Sequence, residues 1–287
     1  MKAKLVAGLV AIALGGFTSC GNILEENGVI NNVAQNGTGE LRINLVADGS
    51  LNVTTKATES ISTDGIDTKT FDITAMPTSG STTVTGKASE FPKTVAAGTY
   101  NVTATLDQMG GKALAWDKPS FSGSTKSVEV SGVGTGTANI TATLSNSLIT
   151  LDPTSISNLS DATITEIFVY EGNAIYTSEE KFPLYTNSGS STTTETKKLF
   201  VAAGKNNIYM HISGKLNDAS STAFSQSTQI AGQLSGESVS NKDQTYAKNN
   251  YKVTYSLVKD KGQLALSITL NGEVNIVPLS VNINPYE

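Results

Sequence analysis

The chain has 287 residues, 38% of them hydrophobic and only 16% charged, with a formal net charge of −5. An average soluble protein carries roughly 25% charged residues; here Ser, Thr, Gly and Asn take their place, which disfavours helices because these residues compete for local backbone bonds or lose entropy on ordering. Arg42 is the sole arginine and no basic cluster is present to neutralise phosphates, so nucleic acid is excluded as a partner.

Lys2 and Lys4 precede an almost wholly apolar run from Leu5 to Leu14. A membrane helix needs about 20 apolar residues, so residues 1–19 read as a signal peptide to be cut off. Thr18 and Ser19 directly before Cys20, the only cysteine, resemble a bacterial lipobox, although Phe17 stands where an aliphatic residue is usual. The resemblance implies cleavage before Cys20 and lipidation of that residue. With the cysteine taken by lipid no internal disulfide is available, and stability must come from packed sheets. Residues 20–38, with Glu25, Glu26 and several Asn, read as a flexible tether.

Period-two alternation then begins, the mark of half-buried strands. Leu41, Ile43 and Leu45 alternate with polar residues, as do Phe71, Ile73 and Ala75, then Tyr100, Val102, Ala104 and Leu106, then Val128 and Val130, and then Ala138, Ile140, Ala142 and Leu144. Turn clusters such as Asp48-Gly49, Gly110-Gly111 and Gly132 to Gly136 separate them. In the second half Asp152-Pro153 stops pairing, because Pro cannot donate. Thr163 to Tyr170 is apolar on both faces and reads as a central strand. Ile208 to Ile212, Tyr251 to Leu257 and Leu264 to Leu270 alternate again, and the phase slips at Val277-Pro278, which suggests a bulge or an edge. Ala223 to Leu234 is the only plausible helix of note. Frequent turns between short strands argue β-sandwiches rather than βαβ units. Val95-Ala96-Ala97-Gly98 and Val201-Ala202-Ala203-Gly204 each stand before an alternating strand, as though each half follows the same plan. The expected organisation is an N-terminal β-sandwich over residues 39–146 and a C-terminal one over 147–287.

Chemistry is sparse. An enzyme needs positioned acids, bases or nucleophiles. His211, the single histidine, falls on a strand face with Tyr209 and Ser213, and reads as a residue of the more solvated face. One histidine and one lipidated cysteine make no zinc pattern. Asp64 and Asp67 lack the ligand spacing of a calcium loop and read as a polar turn, and Glu179-Glu180 reads as a solvated pair. No catalytic residue, metal or cofactor is expected. Trp116, the sole tryptophan, is a candidate for a ligand-facing rim or for a core cap. Tyr170, Tyr176 and Tyr185 lie near loops and are candidates for a binding surface.

Three stretches carry a family resemblance: Gly39-Glu40-Leu41-Arg42-Ile43-Asn44-Leu45, Ala97-Gly98-Thr99-Tyr100-Asn101-Val102-Thr103-Ala104, and Trp116-Asp117-Lys118-Pro119-Ser120-Phe121-Ser122-Gly123-Ser124. In this order, after a lipobox, they resemble an uncharacterised Bacteroides lipoprotein family, a domain of unknown function. More distantly the layout is similar to the fimbrillin-like lipoproteins of Bacteroidales. The resemblance implies an all-β fold of two tandem transthyretin-like or fimbrillin-like β-sandwich domains, no enzyme activity, and an outer-membrane, lipid-anchored place on the cell surface. It implies a role as an adhesin or pilus component, with self-assembly or fimbrial subunits as partners. The alternative is a lipid-anchored glycan-binding protein of a polysaccharide-uptake system, with a host or glycan ligand. Fimbrillin-like subunits are activated by a cut after a basic residue beyond the first strand, and Lys56 in Thr54-Thr55-Lys56-Ala57-Thr58 holds the matching place. Leu279, Val281 and Ile283 would then be the alternating donor strand.

Overall fold

The computed structural model describes residues 37–52, 59–157, 159, 161–177, 179–217, 220–231, 243–260, 263–270 and 273–282. The expected strands dominate, and the fold is all-β. In chain order the first half forms β1 (Thr38–Asp48), the short pair β2 (Ser50–Leu51) and β3 (Glu59–Ser60), then β4 (Asp72–Pro77), β5 (Val84–Lys87), β6 (Lys93–Ala96), β7 (Gly98–Leu106), β8 (Leu114–Trp116), β9 (Phe121–Val130) and β10 (Thr135–Leu144). Seven of them make one sheet, in the order β5-β4-β7-β9-β10-β1-β6.

That sheet folds on itself. β9 and β10 share register only at one corner, where Phe121 and Ser122 meet Leu144 and Thr143. Beyond the corner the strands pass close, and a Cβ on Gly123 would lie 2.5 Å from the Thr141 carbonyl oxygen. Glycine lets the two leaves close. Alternate residues of each leaf meet between them: Ile73, Tyr100, Val102 and Phe121 from one, Leu41, Ile140 and Leu144 from the other. β1 lies inside its leaf, parallel to β10 over nine residue pairs from Glu40–Thr135 to Asp48–Thr143, and antiparallel to β6 from Thr38 to Leu41.

Only Ser145 separates β10 from β11 (Asn146–Leu151), so the chain crosses almost without a break into a second sheet. Pro153 then opens a short helix, α1 (Pro153–Ser157), where its missing N–H costs nothing, and the Asp152 carboxylate accepts the Thr154 N–H at 3.0 Å. The remaining strands are β12 (Ala162–Glu171), β13 (Phe182–Asn187), β14 (Thr192–Thr194), β15 (Leu199–Ala202), β16 (Ile208–Leu216), β17 (Ala223–Gln229), β18 (Asn250–Asp260), β19 (Gln263–Leu270) and β20 (Glu273–Asn282). They complete a six-stranded sheet, β20-β19-β18-β11-β15-β8, and a five-stranded one, β14-β13-β12-β16-β17.

The six-stranded sheet serves two cores. Leu148 and Phe200 join the first core, while Ile149, Leu199 and Val201 join a second core against the five-stranded sheet. Opposite faces at successive residues follow from the strand period of two, which is why Asn146 to Ile149 and Leu199 to Val201 are buried without alternation. The expected division at Asn146 therefore falls on the crossing between sheets. β12 is central, as its two apolar faces require. The phase slip near Val277-Pro278 is a bulge on the edge strand β20: Leu264 pairs with Val281 but Ala265 with Pro278.

Two expectations are corrected. Ala223–Gln229, read as part of a helix, is the edge strand β17, paired with β16 from Lys215–Ala223 to Tyr209–Gln229. Its Ser and Thr residues have weak helix preference, and burial of Phe224 and Ile230 in the second core decides the outcome. The two Ala-Ala-Gly turns also do not share one plan. Gly98 opens β7 within the seven-stranded sheet, whereas Gly204, at φ 78°, carries the chain from β15 in one sheet to β16 in another.

Candidate functional site

A cluster of side chains outside the two cores is built on β12. Because Ile167 and Val169 point into the second core, Phe168 and Tyr170 must point to the opposite face. Pairing with β16 sets His211 beside Phe168 and Tyr209 beside Tyr170. The Phe168 and His211 rings stack at 4.7 Å, and those of Tyr170 and Tyr209 at 5.7 Å. On the other side of β16, β17 sets Ser227 opposite His211 and Ser225 opposite Ser213.

An outward sheet face would ordinarily be solvated, yet Phe168 is 2% exposed, Tyr170 0% and His211 8%. The connection from β12 to β13 covers them. Tyr176 stands edge-on to Phe168 at 4.8 Å and to Tyr170 at 5.0 Å. The Tyr176 hydroxyl donates to the Glu179 carbonyl at 3.1 Å, and the Glu179 carboxylate accepts the Thr177 N–H at 2.9 Å. Glu179 thus braces the covering segment instead of lying solvated beside Glu180. The Lys181 ammonium sits 4.6 Å from the Phe168 ring centroid and 5.4 Å from that of Tyr176, and pairs with Glu166 at 2.8 Å. Cation–π contact and ion pair hold it in one place.

The hydrogen bonds have a definite direction. The Asn173 carbonyl only accepts, so it takes the single Tyr170 hydroxyl proton at 2.7 Å. The 3.0 Å contact of Tyr170 with Ser227 then draws its proton from Ser227. The Ser227 oxygen in turn accepts from His211 Nδ1 at 2.9 Å, and His211 Nε2 accepts from the Ser225 hydroxyl at 3.1 Å. The structure thus assigns a neutral imidazole protonated at Nδ1. Burial holds its pKa below the ordinary histidine value; Glu166 opposes this and Lys181 adds to it. Burial likewise raises the Tyr170 hydroxyl, with the Ser227 bond opposing.

Of the residues singled out in the sequence, Tyr170, Tyr176 and His211 meet in this cluster, and His211 is buried where the solvated face was expected. Tyr185 lies apart on β13, half-buried against the second core. Trp116 ends β8, half-buried, tilted against Phe182 at 5.9 Å and packed on the second core. Asp67 accepts the Lys69 N–H at 2.9 Å in the expected turn. Cys20, Lys56 and Ile283 lie outside the described residues. Phe168 and Lys181 carried no sequence signal of their own; an aromatic on the face opposite Ile167 and Val169 was the available clue. Among the described residues no group of three His, Cys, Asp or Glu side chains is placed to hold a metal ion. A separate cleft of about 330 Å³ lies over Met109, Ser120, Phe121, Asn146 and Ala202. Its buried amide is spent on structure: Asn146 donates to the Lys118 carbonyl at 2.9 Å and accepts the Ser120 N–H at 3.1 Å.

Residues flanking the Lys56 stretch are tied to the start of β18. The Asn52 N–H donates to the Lys248 carbonyl at 2.5 Å, and the Asn250 amide donates to Glu59 at 2.6 Å.

No curated protein sequence matches the chain. Among solved structures it is similar to a fimbrial assembly protein from Parabacteroides distasonis, at 6% identity over 84% of this chain and 98% of that one, with a TM-score of 0.39. It is similar to the fimbrial anchor protein of Porphyromonas gingivalis at 9% identity over 83% and 99%, TM-score 0.32. A protein from Bacteroides thetaiotaomicron whose suggested role is polysaccharide binding is 11% identical over 85% and 100%, TM-score 0.37. In sequence, residues 37–285 match the family described as a domain of unknown function, DUF4493, and the chain belongs to that family.

Proposed function

We propose that the protein is a non-catalytic, lipid-anchored adhesin or fimbrial subunit of the outer membrane, held at the cell surface through Cys20. In this reading residues 39–146 and 147–287 are two lobes of one binding body. The observation that carries it is the seat of β1. This strand fills a slot between β10 and β6, with Leu41 fully buried and Ile43 and Leu45 half-buried beneath it. Removing it would bare one apolar stripe and two rows of unpaired backbone, which a strand from another copy can satisfy. The stretch holding Lys56 follows β1 and β2 directly. β20, the edge strand that includes Leu279 and Val281, is the proposed donor.

Glycan binding as the main role has less support. Among the described residues every aromatic side chain is buried or half-buried, Trp116 included, whereas sugar stacking needs an open ring face.

N-terminal sequencing of protein extracted from the surface of native cells tests the proposal. A start at Ala57 together with a heat-sensitive ladder of multimers is the expected result for a polymerising subunit. An acylated Cys20 on every molecule, with monomer only, ends the polymer and leaves an anchored binding protein. Cys20→Ala is expected to release the protein from the membrane fraction. If it stays there, and the wild type takes up no lipid label, the anchor is wrong.

A further inference from the structure

We propose that His211 is the proton-sensitive pin of a latch: in mild acid Nε2 takes up a proton, and Asn173, Tyr176 and Lys181 lift off the aromatic face of β12 and β16. The geometry carries this. His211 is the only histidine in the chain, and it sits at the centre of what holds the cover down. Its ring stacks on Phe168 and lies 5.9 Å from that of Tyr176. Through Ser227 it continues the hydrogen-bonded chain that ends on the Asn173 carbonyl.

The neutral ring is fully satisfied, with one nitrogen donating and one accepting. A proton arriving from solvent lands on Nε2, and the exposed Ser225 hydroxyl turns from donor to acceptor. No hydrogen bond blocks this step, but the charge is poorly placed. Among the described residues, the charged and titratable groups around the site are Glu166 and Tyr170 on β12, Tyr209 on β16, Tyr176 and Glu179 in the cover, and Lys181 at its end; β17 contributes the hydroxyls of Ser225 and Ser227. Glu166 already pairs with Lys181, and Glu179 is already engaged by Thr177. An imidazolium therefore adds a second cation to a buried ring cluster whose nearby carboxylates are committed. Opening the cover hydrates it and parts it from Lys181.

The sign follows from linkage. With the closed-state pKa held below the free value of about 6.5, the closed cover is fully stable above that pH and loses stability as pH falls through the closed-state pKa. The opening equilibrium rises by at most about tenfold per pH unit in this window.

A single histidine gives a single imidazole titration by NMR, and a single tryptophan, packed on Phe182 beside Lys181, is a built-in fluorescent reporter. The expected midpoint lies below about 6.5. Amide exchange at Tyr176 and Thr177, corrected for intrinsic rates, should quicken up to about tenfold per pH unit below that value, and Trp116 emission should follow the same midpoint. His211→Gln, which keeps a donor and an acceptor, should abolish the pH slope, whereas Tyr170→Phe should quicken exchange at every pH and keep it. A midpoint at or above 6.5, or an unchanged slope in His211→Gln, overturns the latch. If His211→Gln does not fold, the wild type still decides. Exchange at Met210, a second-core residue on β16, must stay flat while Tyr176 quickens, and equal slopes at both would mean global unfolding and overturn the proposal.

Discussion

Tyr255 lies wholly inside the second core, and its hydroxyl has no hydrogen-bond partner among the described residues. Burial alone pushes its ionisation up, out of reach of any ordinary pH. A buried, unpaired hydroxyl costs about 1–3 kcal/mol. Tyr255→Phe removes that cost and leaves the ring in place, so urea denaturation should show stabilisation within this range. Phe200 is the contrasting case. It is nearly fully buried and belongs to the first core although it stands on β15 in the second half of the chain. Phe200→Ala should cost about 3–5 kcal/mol, while Val133→Ala, at a fully exposed turn position, should stay within about 0.5 kcal/mol of the wild type. His211 belongs at this scale too, because its strand period set its neighbours correctly and only the covering segment made it a buried residue.

Among the elements, β9 and β10 show how local composition serves a distant requirement. A side chain at Gly123 would meet backbone atoms of Thr141 and Ala142 at 2.5 and 2.8 Å, and neither can step aside without moving β10. Gly123→Val should therefore destabilise by at least the 1–3 kcal/mol typical of overpacking, read as a lowered melting temperature. A wild-type melting temperature would show that the leaves tolerate separation there. At β17 the balance ran the other way. Its sequence carries little intrinsic preference, so pairing with β16 and burial of Phe224 set its conformation.

For the whole molecule, the shared sheet is the decisive feature. Leu148 and Phe200 close the first core while Ile149 and Val201 line the second, and β10 passes into β11 across Ser145 alone. The two lobes should therefore unfold together, with one transition by circular dichroism and by Trp116 fluorescence at the same urea concentration. A fragment ending at Asn146 should lack a stable first core, because it lacks Leu148, Phe200 and Ala202; sharp, dispersed NMR signals from residues 37–146 alone would refute this. Two separate transitions in the intact chain would make the lobes independent domains.

Period-two alternation is a local property of strands, so the sequence alone determined the all-β class, most strand positions, the central place of β12 and the slip at Val277-Pro278. The same rule placed His211, Tyr209 and Ser213 on one face. What covers a face is not local. The burial of His211 depends on Tyr176 and Lys181 folding back from a connection with no regular period, and the partners of Phe168 come from β12 itself, from β16 and from that connection. Nor does alternation say which sheet receives a strand. That β10 runs on into a sheet serving two cores, and that β15 turns one side to each, depended on pairing between residues as far apart as Leu148 and Asn250. Only the tertiary structure decides such contacts, because their energy comes from surfaces that no single stretch of chain contains.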